Sequence, residues 1–384
     1  MAERATQLRR ASSLIAYWEN SRLLFRNFSK RLTVSGRPIT CEILDFFSEW
    51  RTPRQATSHF TDYTRQSVRS ALSQLVKRGL LLAKDSPEAA QDRRIAKEWS
   101  QWLPEGGFHF STKDAIYVRS RSRVRWLKSR LPKRPAPKFF KVFKAAKKIA
   151  LPAAISPNSE FVQVLLRRRT HRKFSDREVS VEAISQLLSL VWSVTGYLNS
   201  PVFGKLPHKT SPSGGARHPG EVYLMALRVK GLRSGLYHYH PGRRYLELIR
   251  ANATRDKAWR YCAKQDYVKN ASALFLMTAV FPRTMWKYHH ARAYRVVLLD
   301  AGHLCQTFCL VATWLGLAPF CTAALKDTLI EKDLGIDGIR ESVVYAAGVG
   351  VPPTSRTVTA LAPGRSQSSQ KRDRRAKSPS KGVI

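Results

Sequence analysis

Between Asp114 and Glu160 the chain holds no acidic residue, yet it holds thirteen Lys or Arg, from Arg119 to Lys148. Trp126, Phe139, Phe140 and Phe143 are interleaved with them, and "LPKRPAPK" at the centre is a proline-rich joint. Unbalanced like charge of this density opposes burial, so the run divides the chain near residue 150. At 384 residues the sequence exceeds a single core. The expected organisation is a flexible segment over 1–36, a winged-helix-like domain over 37–114, and a basic, Pro-containing linker over 115–157. A second domain follows over 158–355, then a disordered basic tail over 356–384, which is Ser-, Lys- and Arg-rich with almost no apolar content.

Before the linker the pattern is helical. Ile43, Phe46, Phe47 and Trp50 recur at i, i+3, i+4 and i+7, one stripe of a helix. Thr52-Pro53 is a helix start. Val68, Leu72, Leu75 and Val76 repeat the stripe, Gly79 stops it, and Leu80–Leu82 begins a strand. Three short helices running into a strand describe a winged helix-turn-helix. Arg65, Gln66 and Arg69 on its third helix would face a DNA major groove.

Lys+Arg 67 against Asp+Glu 27 gives a net charge of +40. Charge of that size concerns partners and solubility rather than fold, and leaves nucleic acid, acidic peptides, anionic cofactors and membrane surfaces open. Five cysteines, without a CxxC, fit a reduced cytoplasm better than a disulfide framework. Cys305 and Cys309 share a helical face, which reads as buried packing, and no metal site is expected. The N-terminus has no apolar core of signal-peptide length. "CLVATWLGLAPFCTAAL" is broken by Gly316 and Pro319 and reads as core rather than membrane.

After the linker helices and strands mix without regular βαβ alternation, so the class is α+β. "SVEAISQLLSLVWSVTGY" is an amphipathic helix capped by Ser180. "EVYLMALRV", "GLYHYHP", "YLELIR", "SALFLMTAVF" and "ESVVYAAGVGVP" are strands, the second and third joined as a hairpin by "PGRR". "YRVVLLDAGHLCQTFCLVATWLGL" is apolar nearly all round, hence buried.

Two stretches carry binding chemistry. In "RRRTHRKF", Arg168, Thr170 and Arg172 alternate, so an extended backbone points two guanidiniums and a hydroxyl the same way, a set suited to a phosphate. In "KTSPSGGARHPGEVYL", Gly214 and Gly215 let the backbone approach a flat ligand, Pro212 stiffens the turn, and Ser213 donates or accepts. The plainer readings are a solvated basic stretch and an ordinary turn. No G-x-G-x-x-G, G-K-[ST] or G-x-S-x-G lies nearby. Asp300 and His303 read as a hydrogen-bonded core pair rather than metal ligands.

Taken in order, "RRTHRKF", "SPSGGARHPGEVYL", "GLYHYHP", "KYHHARAYRVVLLDAGHLCQ", "GLAPFCTAALKD" and "VYAAGVGVP" resemble the SagB/ThcOx-type branch of the FMN-dependent nitroreductase-like family. These are the azoline dehydrogenases of thiazole/oxazole-modified peptide biosynthesis. The resemblance covers about 158–353 and is weaker across the N-terminal part. It implies a mixed central sheet flanked by helices, and FMN as cofactor. It implies that Arg168, Thr170 and Arg172 grip the FMN phosphate and ribityl chain. Pro212, Ser213, Gly214 and Gly215 would lie against the flavin, supplied by the other subunit of a homodimer. Ala323 and Ala324 stand where relatives place a glycine near the reactive flavin nitrogen. Lys287 and Tyr288 match the pair regarded in this branch as catalytic.

The implied reaction removes a proton and a hydride from adjacent ring atoms of a thiazoline or oxazoline, with protein groups handling the proton. Alternatives are an NAD(P)H-dependent nitroreductase or flavin reductase of small molecules, and a DNA-binding regulator with a degenerate flavin fold. The expected partners are a precursor peptide with an acidic leader, clamped by the winged-helix-like part, and a cyclodehydratase. Nucleic acid is the lesser alternative and no membrane association is expected.

Overall fold

The computed structural model describes residues 6–117 and 159–353, with a few isolated positions between them. The basic linker from residue 118 on, and the tail 356–384, lie outside or almost wholly outside the described residues.

The start of the chain departs from the flexible segment expected over 1–36. It holds β1 (Leu8–Arg10) and a three-stranded meander of β2 (Leu14–Glu19), β3 (Arg22–Asn27) and β4 (Leu32–Gly36). The signal is a period of two: Leu23, Phe25 and Asn27 of β3 are buried while Arg22 between the meander's turns is exposed. Asn20 and Ser21 take positive φ and close the β2–β3 turn.

The helices expected next are present as α1 (Pro38–Phe46), α2 (Pro53–His59) and α3 (Arg65–Lys77). Helix α1 ends before Trp50, which instead sits under the Arg9 guanidinium. Thr52 and Gln55 form a capping box at the start of α2. The strand after α3, β5 (Leu81–Ala83), pairs with β1 from the start of the chain rather than with a following wing strand. Helices α4 (Pro87–Glu98) and α5 (Leu103–Thr112) complete this part.

In the second part α6 (Glu160–Arg167), β6 (Val179–Ser180) and α7 (Val181–Trp192) precede a hairpin of β7 (Gly196–Ser200) and β8 (Gly204–His208). Ser180 caps α7 as expected, accepting from Ala183 N at 3.2 Å. The main sheet uses β9 (Gly220–Ala226), β11 (Gly235–His240), β12 (Tyr245–Ala251), β13 (Ala273–Val280), β14 (Ala318–Thr322) and β15 (Glu341–Gly350); β10 (Val229–Lys230) pairs with β6. Its order is β12-β11-β9-β13-β15-β14. All five pairings are antiparallel, so the sheet is not of the mixed kind expected, while the α+β class stands.

Alternation along β13 splits its side chains between two cores. Phe275 stacks on Trp192 of α7 and meets Phe308 of α10 (Ala293–Trp314) on one face. Leu274 and Leu276 pack with α8 (Arg255–Tyr261) and α11 (Asp327–Leu334) on the other. Helix α10 is long and apolar enough to cross a membrane by length and composition, but Val297, Leu304, Cys305, Phe308 and Ala312 are buried within the protein. It is not buried all round as expected: Leu298, Leu299 and Trp314 are exposed, Leu299 at 60%.

The boundary expected near residue 150 does not separate independent units, and residues through Pro353 form one. A shared core is the reason. Phe28, Trp99, Trp102 and Phe110 pack with Phe281, Tyr294, Val297 and Ile339. Phe281 begins the short helix α9 (Phe281–Met285). Polar groups cross the same seam: Trp99 Nε1 donates to Ile339 O at 2.9 Å, and Lys113 pairs with Glu331.

Candidate functional site

The Pro-Ser-Gly-Gly loop is fastened at each step to a helix. Thr210 Oγ1 donates to Leu190 O of α7 at 2.6 Å, and Ser211 shares a 2.7 Å bond with Thr307 of α10. Ser213 Oγ donates to Asp300 Oδ2 at 2.6 Å, and Gly214 N donates to Asp300 Oδ1 at 3.2 Å. Burial raises the Asp300 carboxyl above its usual range, and the Ser213 bond opposes that rise. Asp300 is therefore the loop's anchor and not half of a core pair with His303, which is exposed.

Gly214 sits so close to Val296 that a side chain there would collide with it. Gly215 has φ +61° and faces Lys287 Nζ and the Tyr288 hydroxyl; a β-carbon there would lie 2.8 Å from Lys287 Nζ. Lys287 Nζ donates to Gly215 O at 3.4 Å and stands 4.1 Å above the Phe203 ring. The structure thus brings Lys287, Tyr288 and the loop Pro212–Gly215 together. Ala216 and His218 also take positive φ, an accumulation of uncommon backbone in one turn.

Behind the loop lies a buried cation. Lys209 is lowered to about 8 by burial, with Glu221 opposing the shift. His218 is lowered to about 4 by burial and by Lys209. Arg283 pairs with Glu221 at 2.5 Å and donates to His218 O at 3.1 Å, so the loop's exit is pinned as firmly as its tip.

Arg168, Thr170 and Arg172 lie elsewhere on the same chain. Arg168 follows the last turn of α6 and bears electrostatically on Cys309 and Cys321. Thr170 is exposed. Arg172 lies 5.7 Å from the Tyr267 ring. Tyr267 bonds Gln265, Gln265 Nε2 donates to Thr322 Oγ1 at 2.9 Å, and Ala324 N donates to the same hydroxyl at 3.1 Å. The arginine segment and Ala323–Ala324 therefore share one neighbourhood. Asp300 and Cys309 are nine residues apart on α10, about 13 Å along the axis at 1.5 Å per residue. Arg168 and the Gly-Gly turn thus bear on different stretches of α10.

Among the described residues no carboxylate pairs with Arg168 or Arg172. Two guanidiniums without internal acids, beside an exposed hydroxyl, are a donor set that fits a phosphate. The Gly214–Gly215 turn lies closely under Val296, Lys287 and Tyr288, so a planar ring would meet it on its backbone face rather than where β-carbons are missing. The residues present fit FMN as two complementary halves.

Several contributors escaped the sequence reading. Trp102 Nε1 donates to Tyr288 O at 3.2 Å, and Tyr117 hydroxyl donates to Ala323 O at 3.1 Å. The N-terminal part thus braces both the Lys-Tyr pair and the Ala-Ala segment. Both lie in "WSQWLPEGGFHFSTKDAIY", part of the weaker N-terminal resemblance, but that stretch does not announce their roles, because each acts across about 186 or 206 residues of sequence. Arg65, Gln66 and Arg69 are exposed on α3, apart from these braces.

Residues 165–351 match the family model described as "Nitroreductase family". That part of the chain has a nitroreductase-like fold and is similar to an oxidoreductase family whose members typically bind flavin. Trifolitoxin-processing protein TfxB of Rhizobium leguminosarum bv. trifolii is 26% identical over 322 residues, covering 79% of this chain and 85% of that protein. A match of that extent reaches into the N-terminal part. A putative nitroreductase of Methanocaldococcus jannaschii is 29% identical over 173 residues, 45% of this chain and 83% of that one. Among solved structures, the E. coli microcin synthetase McbBCD complex with truncated pro-MccB17 bound aligns at TM-score 0.40 and 20% identity. That alignment covers 61% of this chain and 94% of the other.

Proposed function

We propose that this protein is an FMN-dependent dehydrogenase that oxidises thiazoline and oxazoline rings of a ribosomally made peptide to thiazoles and oxazoles. The observation that carries the reading is the convergence of Lys287 and Tyr288 on Gly215, which puts a proton-handling pair on the turn suited to a flavin ring. Similarity to a trifolitoxin-processing protein along most of the chain supports a peptide as substrate.

FMN, when bound, supplies the two-electron oxidant. Arg168 and Arg172 hold its phosphate by charge-assisted bonds, with Thr170 as a further donor. Gly214 and Gly215 admit the ring, and Ala323–Ala324 line its other approach. Lys287 removes the ring proton of the azoline, and its contact with Gly215 O aims the amine. Tyr288 orients the substrate ring by its hydroxyl. Phe203, under the Lys287 amine, excludes water from one side.

The two halves lie on different stretches of α10, so we assign the complete site to a homodimer. Phe161, Leu165 and Leu166 of α6, with Leu298, Leu299 and Trp314 of α10, are exposed in the single chain and give it an apolar face to bury. Substrate delivery falls to the N-terminal part, where β2 and β4 each pair only with β3 among the described residues, leaving edges for an extended peptide. The +40 charge draws an acidic leader, with a cyclodehydratase supplying the azoline. Unpaired cysteines suit the cytoplasm.

The test is the visible spectrum of the purified protein, followed by turnover of azoline peptides. A flavin spectrum with turnover lost in Lys287→Ala and Tyr288→Phe, and flavin retained, is expected. Rapid NAD(P)H oxidation with nitroaromatics and indifference to azolines would assign the small-molecule reductase instead. A flavin-free protein that shifts duplex DNA would assign the regulator.

A further inference from the structure

We propose that Cys305, Cys309 and Cys321 form a binding site for one thiophilic divalent cation of the zinc type. The site borders the flavin reading through Arg168, but it rests on three sulfur atoms that reading does not use. Cys305 and Cys309 project from one face of α10, one turn apart, and Cys321 reaches them from β14. Their sulfur atoms all lie within 4.8 Å of one another. None is in a disulfide.

The geometry is near what such an ion requires. Zinc–sulfur bonds of about 2.3 Å in a tetrahedron set sulfur–sulfur separations of about 3.8 Å, so adjustments of about 1 Å or less close the site. The Tyr345 hydroxyl donates to Cys321 Sγ at 3.3 Å and orients that sulfur, and Cys321 is only half-buried, so the fourth position falls to water. Three thiolates around a divalent ion carry one net negative charge. Arg168, whose charge bears on Cys309 and Cys321, neutralises it. A monovalent ion would leave two negative charges in a mostly buried setting, which selects the divalent class.

Binding releases thiol protons, so affinity falls as pH falls. The bound ion would tie the end of β14 to α10, two residues before Ala323–Ala324 and beside Arg168. Its role is that of a clamp, with the chain supplying every thiolate.

The test uses the full chain, treated with chelator under reducing conditions and titrated with Co(II), then Zn(II). Expected are thiolate-to-cobalt charge-transfer bands and ligand-field bands in the red, clear of oxidised flavin, saturating at one ion per chain and bleached by Zn(II). Cys321→Ser and Cys305→Ser should each weaken binding at least tenfold, while Cys41→Ser and Cys262→Ser leave it unchanged. Zn(II) should also slow alkylation of Cys321 in the wild-type chain, a readout that needs no variant. The proposal is overturned if the wild-type chain gives no thiolate–cobalt bands, or if they persist unchanged in Cys321→Ser. It is equally overturned if mass spectrometry of the reduced, metal-treated protein shows neither metal nor protection.

Discussion

Two stretches of α10 make an instructive pair. Around Asp300 the chain satisfies itself: Ser213 and Gly214 bond the Asp300 carboxylate, and Lys287 bonds Gly215 O. Around Cys309 the neighbouring Arg168 finds no carboxylate among the described residues, and Trp314 at the helix end is 47% exposed. The first region is finished by its own chain, and the second is built to be completed. A phosphate would complete the arginines, and a second copy of the chain would cover the apolar face.

The contrast breaks first at the arginines. Replacing both Arg168 and Arg172 by Ala should abolish flavin retention, with each guanidinium worth about tenfold to a hundredfold in affinity. Dialysis against known FMN concentrations, followed by absorption, measures this. Retained flavin would move the phosphate elsewhere.

A smaller effect is expected at the brace from the N-terminal part. Trp102 is fully buried and bonds the Tyr288 carbonyl. Trp102→Ala should cost about 3–5 kcal/mol of stability, because it leaves a cavity in the core shared by the two parts. Denaturant midpoints check this, and turnover should fall more than flavin content, because the Tyr288 backbone loses its support.

The smallest effect is a pH slope. His109 is buried against Trp99 and Tyr294, and burial lowers it to about 3, with Lys113 adding to the shift. The unfolded chain binds its proton at about 6.5, so between those values the unfolded state holds more protons. Stability is then fully present above about pH 6.5 and is lost as pH falls, by up to about 1.4 kcal/mol per pH unit from this group. His109→Gln should flatten that acid limb, which urea titrations across pH 4–7 would show.

Much of this site was legible because its motifs are local. The Arg-x-Thr-x-Arg alternation, the Ser-Gly-Gly turn and the Lys287-Tyr288 pair each lie within a few residues, where extended period and turn chemistry act. Asp300 was misread because its partner is 87 residues away, and an acid beside a histidine on a helix suggests a local pair. Cys321 was not joined to Cys305 and Cys309 because only the β14–α10 packing unites them. The opening strands were missed although β3 alternates, since a short basic meander has weak contrast between its faces. The antiparallel sheet was beyond pattern reading, because strand order depends on long connections rather than on any one strand.

Mixing two inactive proteins tests the central claim most directly. One carries Arg168→Ala and Arg172→Ala, the other Lys287→Ala and Tyr288→Phe, and the two are unfolded together, refolded with FMN and assayed on an azoline peptide. If each site takes its arginines from one protomer and its loop from the other, heterodimers rebuild one intact site, and about a quarter of wild-type activity returns. No recovery, with dimers formed and flavin present, would contradict the account and place the whole site within a single chain.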